Sequence, residues 1–197
     1  RKIMADFNLS YKNMLNLEFS APKNALHRNK SENGLTFMGI YESANPEFCG
    51  WQKIYCTLKT CGQMEKASEI LYNDEELRLE VEKFYKNKFW DKMKLDFVLP
   101  YRTADLMFKF AVNIGTKRAV KFAQRIVGVQ TDGIIGKNTL KALNGYNPVK
   151  FENEYKAAFE KFYDDLAAKK DRHKIFLNGW LNRVKLSQAD LDFIHLA

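Results

Sequence analysis

The segment that follows Pro100 constrains the fold more than any other part of the chain. It reads YRTADLMFKFAVNIG over residues 101–115, and its apolar residues occur around nearly the whole circumference of a helix. A helix that is apolar on all sides must be surrounded by other elements. We therefore predict a buried central helix, ended by Gly115 because glycine is favoured just after a helix, with further helices packed around it.

Most of the remaining chain also has helical spacing. Apolar periodicity predicts helices over 6–18, 63–71, 74–85 with an extension through Phe89-Trp90, 117–127, 148–170 and 173–184. Pro46 predicts another helix start, since proline is favoured at the first position. Asn33-Gly34 is a turn pair. We expect an all-α, mainly helical fold with a small β-hairpin near 24–38, divided into regions 1–99 and 100–197, the second packed on the first.

Composition excludes several classes of protein. With 197 residues, of which 46% are hydrophobic, the chain can bury a core without disulfides. It has no apolar run of about 20 residues that would span a bilayer, and no basic-then-apolar leader. The net charge of +8 favours anionic partners. The charges are scattered without a DNA-reading motif, so we expect no nucleic-acid partner.

Cysteine and histidine patterns do not indicate a metal or cofactor site. The three cysteines are spaced C-x6-C-x4-C, which is not a zinc spacing. We expect reduced, packed thiols, with one disulfide as the alternative. The chain has no phosphate-binding glycine loop, H-E-x-x-H or G-x-S-x-G motif. Its histidines are far apart, and only His27 lies in a loop of functional interest.

Glu18 is the one acid whose spacing is unusual. It continues the apolar stripe of the first helix, four residues after Met14 and three after Leu15, just before Pro22 breaks the pattern. Partial burial and the negative end of the helix dipole both favour the protonated form of a carboxyl group. A glycosidase uses such a group to protonate the leaving oxygen. The alternative is a frayed helix end with Glu18 solvated or in a salt bridge.

The order of features from Glu18 to Trp51 resembles the lysozyme-like muramidases of glycoside hydrolase family 108. That family has an acid in E-G-G-Y, then D-x-G-G-x-T, then G-I and G-W. The matching residues here are Glu18, Asn33-Gly34-Leu35-Thr36, Gly39-Ile40 and Gly50-Trp51. E-G-G-Y is replaced by EFSA, and the aspartate of the family falls on Ser31, with Glu32 one position away. From its spacing alone, we expect Trp51 to be a core anchor.

A second resemblance covers the C-terminal half. V-N-x-G, then Q-x-x-x-G-V, then D-G-x-x-G-x-x-T-L-x-A-L-N is similar to the peptidoglycan-binding region that follows the catalytic domain in phage and prophage endolysins of this family. The motif begins at Val112 and ends at Asn144. D-G-x-x-G-x-x-T by itself is a turn-and-cap signature. It therefore indicates the family more strongly than it indicates contact with glycan.

The resemblances imply a peptidoglycan hydrolase that cleaves between N-acetylmuramic acid and N-acetylglucosamine. Glu18 would be the general acid, and Thr36 would position the attacking water; alternatively its hydroxyl satisfies nearby backbone. Glu32 is the candidate second carboxylate, with Glu42 behind it. The candidate substrate-binding residues are His27, Ser31, Asn33, Tyr41 and Asn113. Two alternatives stay open: a lytic transglycosylase, and a non-catalytic wall-binding or secretion-helper protein.

These resemblances also imply partners and a location. The catalytic region would be 1–99 and the peptidoglycan-binding region 100–197. Glycan strands are the expected partner, anionic wall polymers are further candidates, and the chain is expected to be a monomer. It would be made in the bacterial cytoplasm and act at the wall or periplasm, exported by a holin or a secretion partner.

Overall fold

A computed structural model describes residues 5–28 and 33–169. Ser31, Glu32 and the helix predicted over 173–184 lie outside the described residues. The described residues form two compact units, one of Tyr11–Lys88 and one of the described parts of 1–10 and 89–197. The fold is mainly helical, as predicted. Its helices are α1 Phe7–Glu18, α2 Trp51–Cys61, α3 Met64–Tyr72, α4 Glu75–Tyr85, α5 Tyr101–Ile114, α6 Thr116–Val127, α7 Lys137–Gly145 and α8 Pro148–Lys169.

The helix ends follow local chemistry. Asp6 precedes α1, and its Oδ1 accepts a hydrogen bond from the Leu9 amide at 3.1 Å. Asp74 precedes α4, and its Oδ1 accepts a hydrogen bond from the Leu77 amide at 2.9 Å. Each of these carboxylates satisfies an amide that the first helical turn leaves unpaired. None of the helices in the described ranges is long and apolar enough to cross a membrane.

Helix α5 is buried along most of its length, as its apolar character predicts. Phe110 stacks on Phe159 of α8 with ring centroids 3.8 Å apart. The helix also buries two charged residues, Asp105 and Lys109, whose side chains pair at 2.9 Å. Burial raises the pKa of the Asp105 carboxyl, and the Lys109 ammonium opposes that shift. A buried ion pair of this kind gives little net stability, but losing one partner is costly.

The D-G-x-x-G-x-x-T segment forms a network around a fully buried side chain, that of Gln124 in α6. The Gln124 Nε2 group donates to Asp132 Oδ1 at 2.7 Å and to the Ile134 carbonyl at 3.0 Å. The Gly133 amide donates to Gln124 Oε1 at 2.8 Å. The Gln124 hydrogen bond is also the main reason that the pKa of Asp132 is lowered. The polar groups of this motif therefore support the fold.

The small sheet is larger than the predicted hairpin. It has three antiparallel strands in the order β1 Leu26–His27, β2 Thr36–Phe37 and β3 Ile40–Tyr41. The tight turn is Met38-Gly39 rather than Asn33-Gly34, with φ of +46° at Met38 and +82° at Gly39. Positive φ at both central residues is the requirement of a type I′ turn. Met38 tolerates it because its side chain is buried and its backbone is bonded on both sides.

The predicted helix start at Asn45-Pro46 is wrong. Residues 42–44 form a short 3-10 turn, and α2 begins only at Trp51. The Asn45 carbonyl instead accepts hydrogen bonds from the Phe48 amide at 3.1 Å and from Trp51 Nε1 at 2.8 Å. Trp51 is buried, which confirms its prediction as a core anchor.

Candidate active site

Glu18 is the last residue of α1 and lies directly against the turn of the hairpin. A Cβ atom on Gly39 would lie 2.8 Å from both Cγ and Oε2 of Glu18. The side chain of Glu18 therefore occupies the space that any other residue at position 39 would need. Gly39 also has φ of +82°, a conformation that glycine adopts without cost. Both requirements explain why glycine stands at this position.

Tyr85 of α4 lies against the same glycine. Its hydroxyl oxygen would lie 2.6 Å from a Cβ on Gly39, and it donates a hydrogen bond to the Met38 carbonyl at 2.8 Å. This phenol is buried. In the sequence, Tyr85 is one of several apolar positions of the helix that begins at 74, and no local signal marks it as a neighbour of Glu18.

Glu18 and His27 line one open groove of about 510 Å³. The remaining lining residues are Asn16, Leu17, Phe19, Ser20 and Asn24. His27 Nδ1 lies 3.1 Å from the Asn24 carbonyl and donates to it when that nitrogen carries the proton. This bond orients the imidazole within the groove. The groove thus combines a carboxyl group, an imidazole and hydrogen-bonding amides, which suits a polar substrate.

The strand register places three predicted residues on one face of the sheet. His27 is paired with Thr36, and Thr36 is paired with Tyr41. Directly opposed residues of antiparallel strands have side chains on the same face. The opposite face carries Leu26, Phe37 and Ile40, all buried. The sheet therefore has an apolar core face and a second face with an imidazole, a hydroxyl and a phenol.

Thr36 is buried, with 7% of its surface exposed. Its Oγ1 atom has no hydrogen-bond partner among the residues that the structure describes. Most buried hydroxyl groups in proteins are paired. Among the described residues, no hydrogen bond supports the alternative that the Thr36 hydroxyl satisfies nearby backbone.

The carboxylate of Glu42 is engaged in structure. Its Oε2 accepts the Leu35 amide at 2.9 Å, and its Oε1 accepts the Tyr55 hydroxyl at 2.6 Å. The hydrogen bond to Glu42 is the main reason that the pKa of Tyr55 is raised. The Asn33 carbonyl accepts from the Tyr41 hydroxyl at 3.0 Å and from the Ser43 hydroxyl. These bonds connect β3 and the residues after it to the segment before β2, and Glu42 has a structural role in this loop.

Other predicted residues lie elsewhere. Asn113 belongs to the unit built around α5, is exposed, and donates from Nδ2 to the Lys109 carbonyl at 3.2 Å. Cys49 and Cys56 are exposed free thiols, so the prediction that they are packed is wrong. Within 5–28 and 33–169, no group of histidine, cysteine or acidic residues has the arrangement of a metal site.

Comparison with known families agrees with both resemblances. The Glycosyl hydrolase 108 model matches residues 26–115, and the Predicted Peptidoglycan domain model matches residues 118–185. Residues 26–115 are therefore similar to glycosyl hydrolase family 108, and the residues that follow are similar to a peptidoglycan-binding domain. The protein is a glycoside hydrolase that acts on peptidoglycan at the cell wall. Thr36 and Gly39 lie inside the first matched region, whereas Glu18 precedes it, so the role of Glu18 depends on its geometry.

The fold of this enzyme is also similar to a solved structure. "Structure of Brucella abortus SagA" superposes with a TM-score of 0.65 at 22% identity, covering 95% of this chain and 94% of that chain. At this identity the similarity concerns the fold. No curated protein matches the sequence.

Proposed function

We propose that this enzyme cleaves the β-1,4 bond between N-acetylmuramic acid and N-acetylglucosamine, with Glu18 as the general acid. The observation that carries the proposal is the placement of the Glu18 carboxyl group over Gly39, at the edge of the groove that contains His27. The helix fixes one side of the carboxyl group, and the hairpin turn fixes the other. A general acid must be held in this way to reach a glycosidic oxygen.

The reaction follows from this placement. Glu18 donates its proton to the glycosidic oxygen as the bond from that oxygen to the anomeric carbon breaks. The sugar then develops oxocarbenium character, and a water molecule attacks the anomeric carbon. The Thr36 hydroxyl, which has no partner among the described residues, forms a hydrogen bond with that water and so orients it. Protonation by a positioned acid accounts for about 10²–10⁴-fold of the rate.

The remaining candidates have supporting roles in this proposal. His27, Asn33 and Tyr41 would bind the substrate through the polar face of the sheet and its loop, and Ser31 and Asn113 stay candidates for the same role. Glu42 already binds Leu35 and Tyr55, which leaves Glu32 as the candidate second carboxylate. We propose residues 1–99 as the catalytic region and 100–197 as the peptidoglycan-binding region of a monomer. We propose that a holin or a secretion partner exports it.

Mass spectrometry of peptidoglycan digests tests the proposal. Wild type is expected to release fragments with reducing muramic ends. Glu18→Gln, which keeps the shape and removes the acid, is expected to release at least about 100-fold less. Glu65→Gln, an exposed residue of α3 in the same unit, is the matched control and should digest like wild type.

Three other outcomes contradict the proposal in different ways. Anhydro-muramic ends would establish a transglycosylase, in which the muramic C6 hydroxyl attacks instead of water. Full activity of Glu18→Gln, folded by circular dichroism, would remove Glu18 from the mechanism. No fragments from wild type, together with retained pelleting on sacculi, would indicate a wall-binding protein of the same fold.

A further inference from the structure

A second groove, distant in sequence from Glu18, lies along α6 and the facing side of α8. Its volume is about 570 Å³. Four of its lining residues are cations, Lys117, Arg118, Lys121 and Arg125, and two are aromatic, Phe122 and Phe162. It contains no acidic lining residue. The groove therefore presents concentrated positive charge beside an apolar surface.

The positive charge of this groove is only partly balanced by carboxylates of the described residues, since the Lys121 ammonium helps to lower the pKa of the Asp132 carboxyl. Within residues 5–28 and 33–169, none of its four cations forms an ion pair with a carboxylate. Two other cations of the same unit behave differently: Arg102 and Lys156 both pair with the buried Glu152 at 2.6 Å. Four like charges close together raise one another's energy, so an anion in the groove would relieve their repulsion.

The arginine side chains of the groove are held in position. The Arg118 guanidinium lies over the Phe162 ring at 5.3 Å, and the Arg125 guanidinium lies over the Phe122 ring at 5.5 Å. Stacking covers one face of a guanidinium and leaves its N–H edge available. That edge matches the two oxygens of a carboxylate.

The D-G-x-x-G-x-x-T motif supports the lysines of the groove. A Cβ on Gly133 would lie 2.7 Å from Lys117 Cγ and 3.4 Å from Lys121 Cε. Both lysine stems therefore lie against the turn at Gly133. The motif holds this turn through Gln124, so the network that folds the domain also shapes one wall of the groove.

We propose that this groove binds the carboxylate groups of peptidoglycan stem peptides. The inference rests on peptidoglycan being the substrate. Stem peptides carry several free carboxylates on a short chain, which suits several cations along one groove, and their methyl groups can cover the exposed parts of the two phenylalanine rings. Phosphate-rich wall polymers share the anionic chemistry, and the experiment separates the two sources.

Pelleting on sacculi that have been stripped of phosphate polymers by acid tests the proposal. Binding is measured at 4 °C over a few minutes, with wild type and with Arg118→Gln/Arg125→Gln. Because the double variant loses the charge-assisted hydrogen bonds of two guanidinium groups, it is expected to bind at least about 10-fold more weakly. The control is Lys137→Gln/Lys141→Gln, two exposed cations of α7, expected within about twofold of wild type.

Amidating the carboxylates of the same sacculi identifies the anion. Wild type should then bind as weakly as the groove variant, and the difference between the two should disappear. Equal binding of wild type to native and amidated sacculi would overturn the proposal. So would equal binding by the groove variant, or tighter binding of polyphosphate or duplex DNA with the same sensitivity to the variant. Fragment analysis of the groove variant keeps this result separate from Glu18, because reducing muramic ends should still form.

Discussion

Replacing Gly39 with alanine tests whether the hairpin turn positions the acid. The added Cβ would lie 2.6 Å from the Tyr85 hydroxyl oxygen and 2.8 Å from Cγ and Oε2 of Glu18. Neither side chain can stay in place at those distances. If Tyr85 moves, the buried Met38 carbonyl loses its hydrogen bond, at a cost of about 1–3 kcal/mol. The left-handed backbone adds about 1–2 kcal/mol for any residue other than glycine.

Gly62, the residue after α2 in the same unit, provides the matched control. It has φ of +65°, and a Cβ there would meet nothing within 4 Å. Gly62→Ala therefore has the backbone cost alone, about 1–2 kcal/mol, whereas Gly39→Ala should lose about 2–5 kcal/mol. Urea unfolding followed by circular dichroism measures both losses. The difference between the variants isolates the effect of the contacts.

Activity separates the two variants further. Displacing a catalytic group by about 1 Å can cost roughly 100-fold in rate, so Gly39→Ala should lose about that factor per folded molecule. Gly62→Ala should clear cell-wall suspensions like wild type. In the Tyr85→Phe background the stability cost of Gly39→Ala should shrink, since the closest clash is gone, while activity stays low because Glu18 is still displaced. Equal stability losses at both glycines, with full activity of Gly39→Ala, would refute this account.

Two further predictions concern buried polar groups. Thr36→Val removes a hydroxyl without a partner among the described residues, so the free energy of unfolding should be unchanged or higher while the digestion rate falls at least about 10-fold. The control is Thr139→Val, which removes a hydroxyl that accepts from Gln124 and should lower the free energy of unfolding by about 1 kcal/mol. Full activity of Thr36→Val would show that Thr36 does not position the water. Gln124→Leu removes the acceptor of the Gly133 amide and one of the hydrogen bonds to the Ile134 carbonyl, and it should lower the free energy of unfolding by about 2–4 kcal/mol. Gln130→Leu, at an exposed site in the same unit, should change it by less than about 0.5 kcal/mol. Similar melting temperatures for both glutamine variants would contradict a structural role for the motif.

The helical part of the fold could be predicted because its signals are local. The apolar residues of α5 and α8 recur at helical intervals, and Asp6 and Asp74 bind amides only three residues away. The prediction at Pro46 failed because the local preference of proline for a helix start competes with Trp51. Its indole donates to the Asn45 carbonyl and holds residues 45–50 in turns. That bond depends on how Trp51 packs in the core, and the position of a proline in the sequence gives no information about this packing.

The position of the hairpin turn could not be read from the sequence for a related reason. Asn-Gly is the preferred pair for a type I′ turn, and the chain contains one at Asn33-Gly34. The turn forms at Met38-Gly39 because the Met38 amide donates to the Ala25 carbonyl at 2.7 Å and its carbonyl accepts from Tyr85. The second bond joins residues 47 positions apart. Tertiary hydrogen bonds therefore override the local turn preference.

The same tertiary bonds determine what the sequence reveals about the site. Glu18 could be proposed from the sequence because its place on a helical stripe is a local property, and Thr36 because it stands in a motif. Tyr85, which borders Glu18 at the hairpin turn, lies on the stripe of another helix and looks like an ordinary core residue. Tyr85 donates to the Met38 carbonyl in the hairpin turn and also borders the Glu18 carboxyl group. The position of Glu18 therefore depends on how α4 packs. A mutation that loosens α4 at Tyr85 should therefore reduce activity before it unfolds the protein.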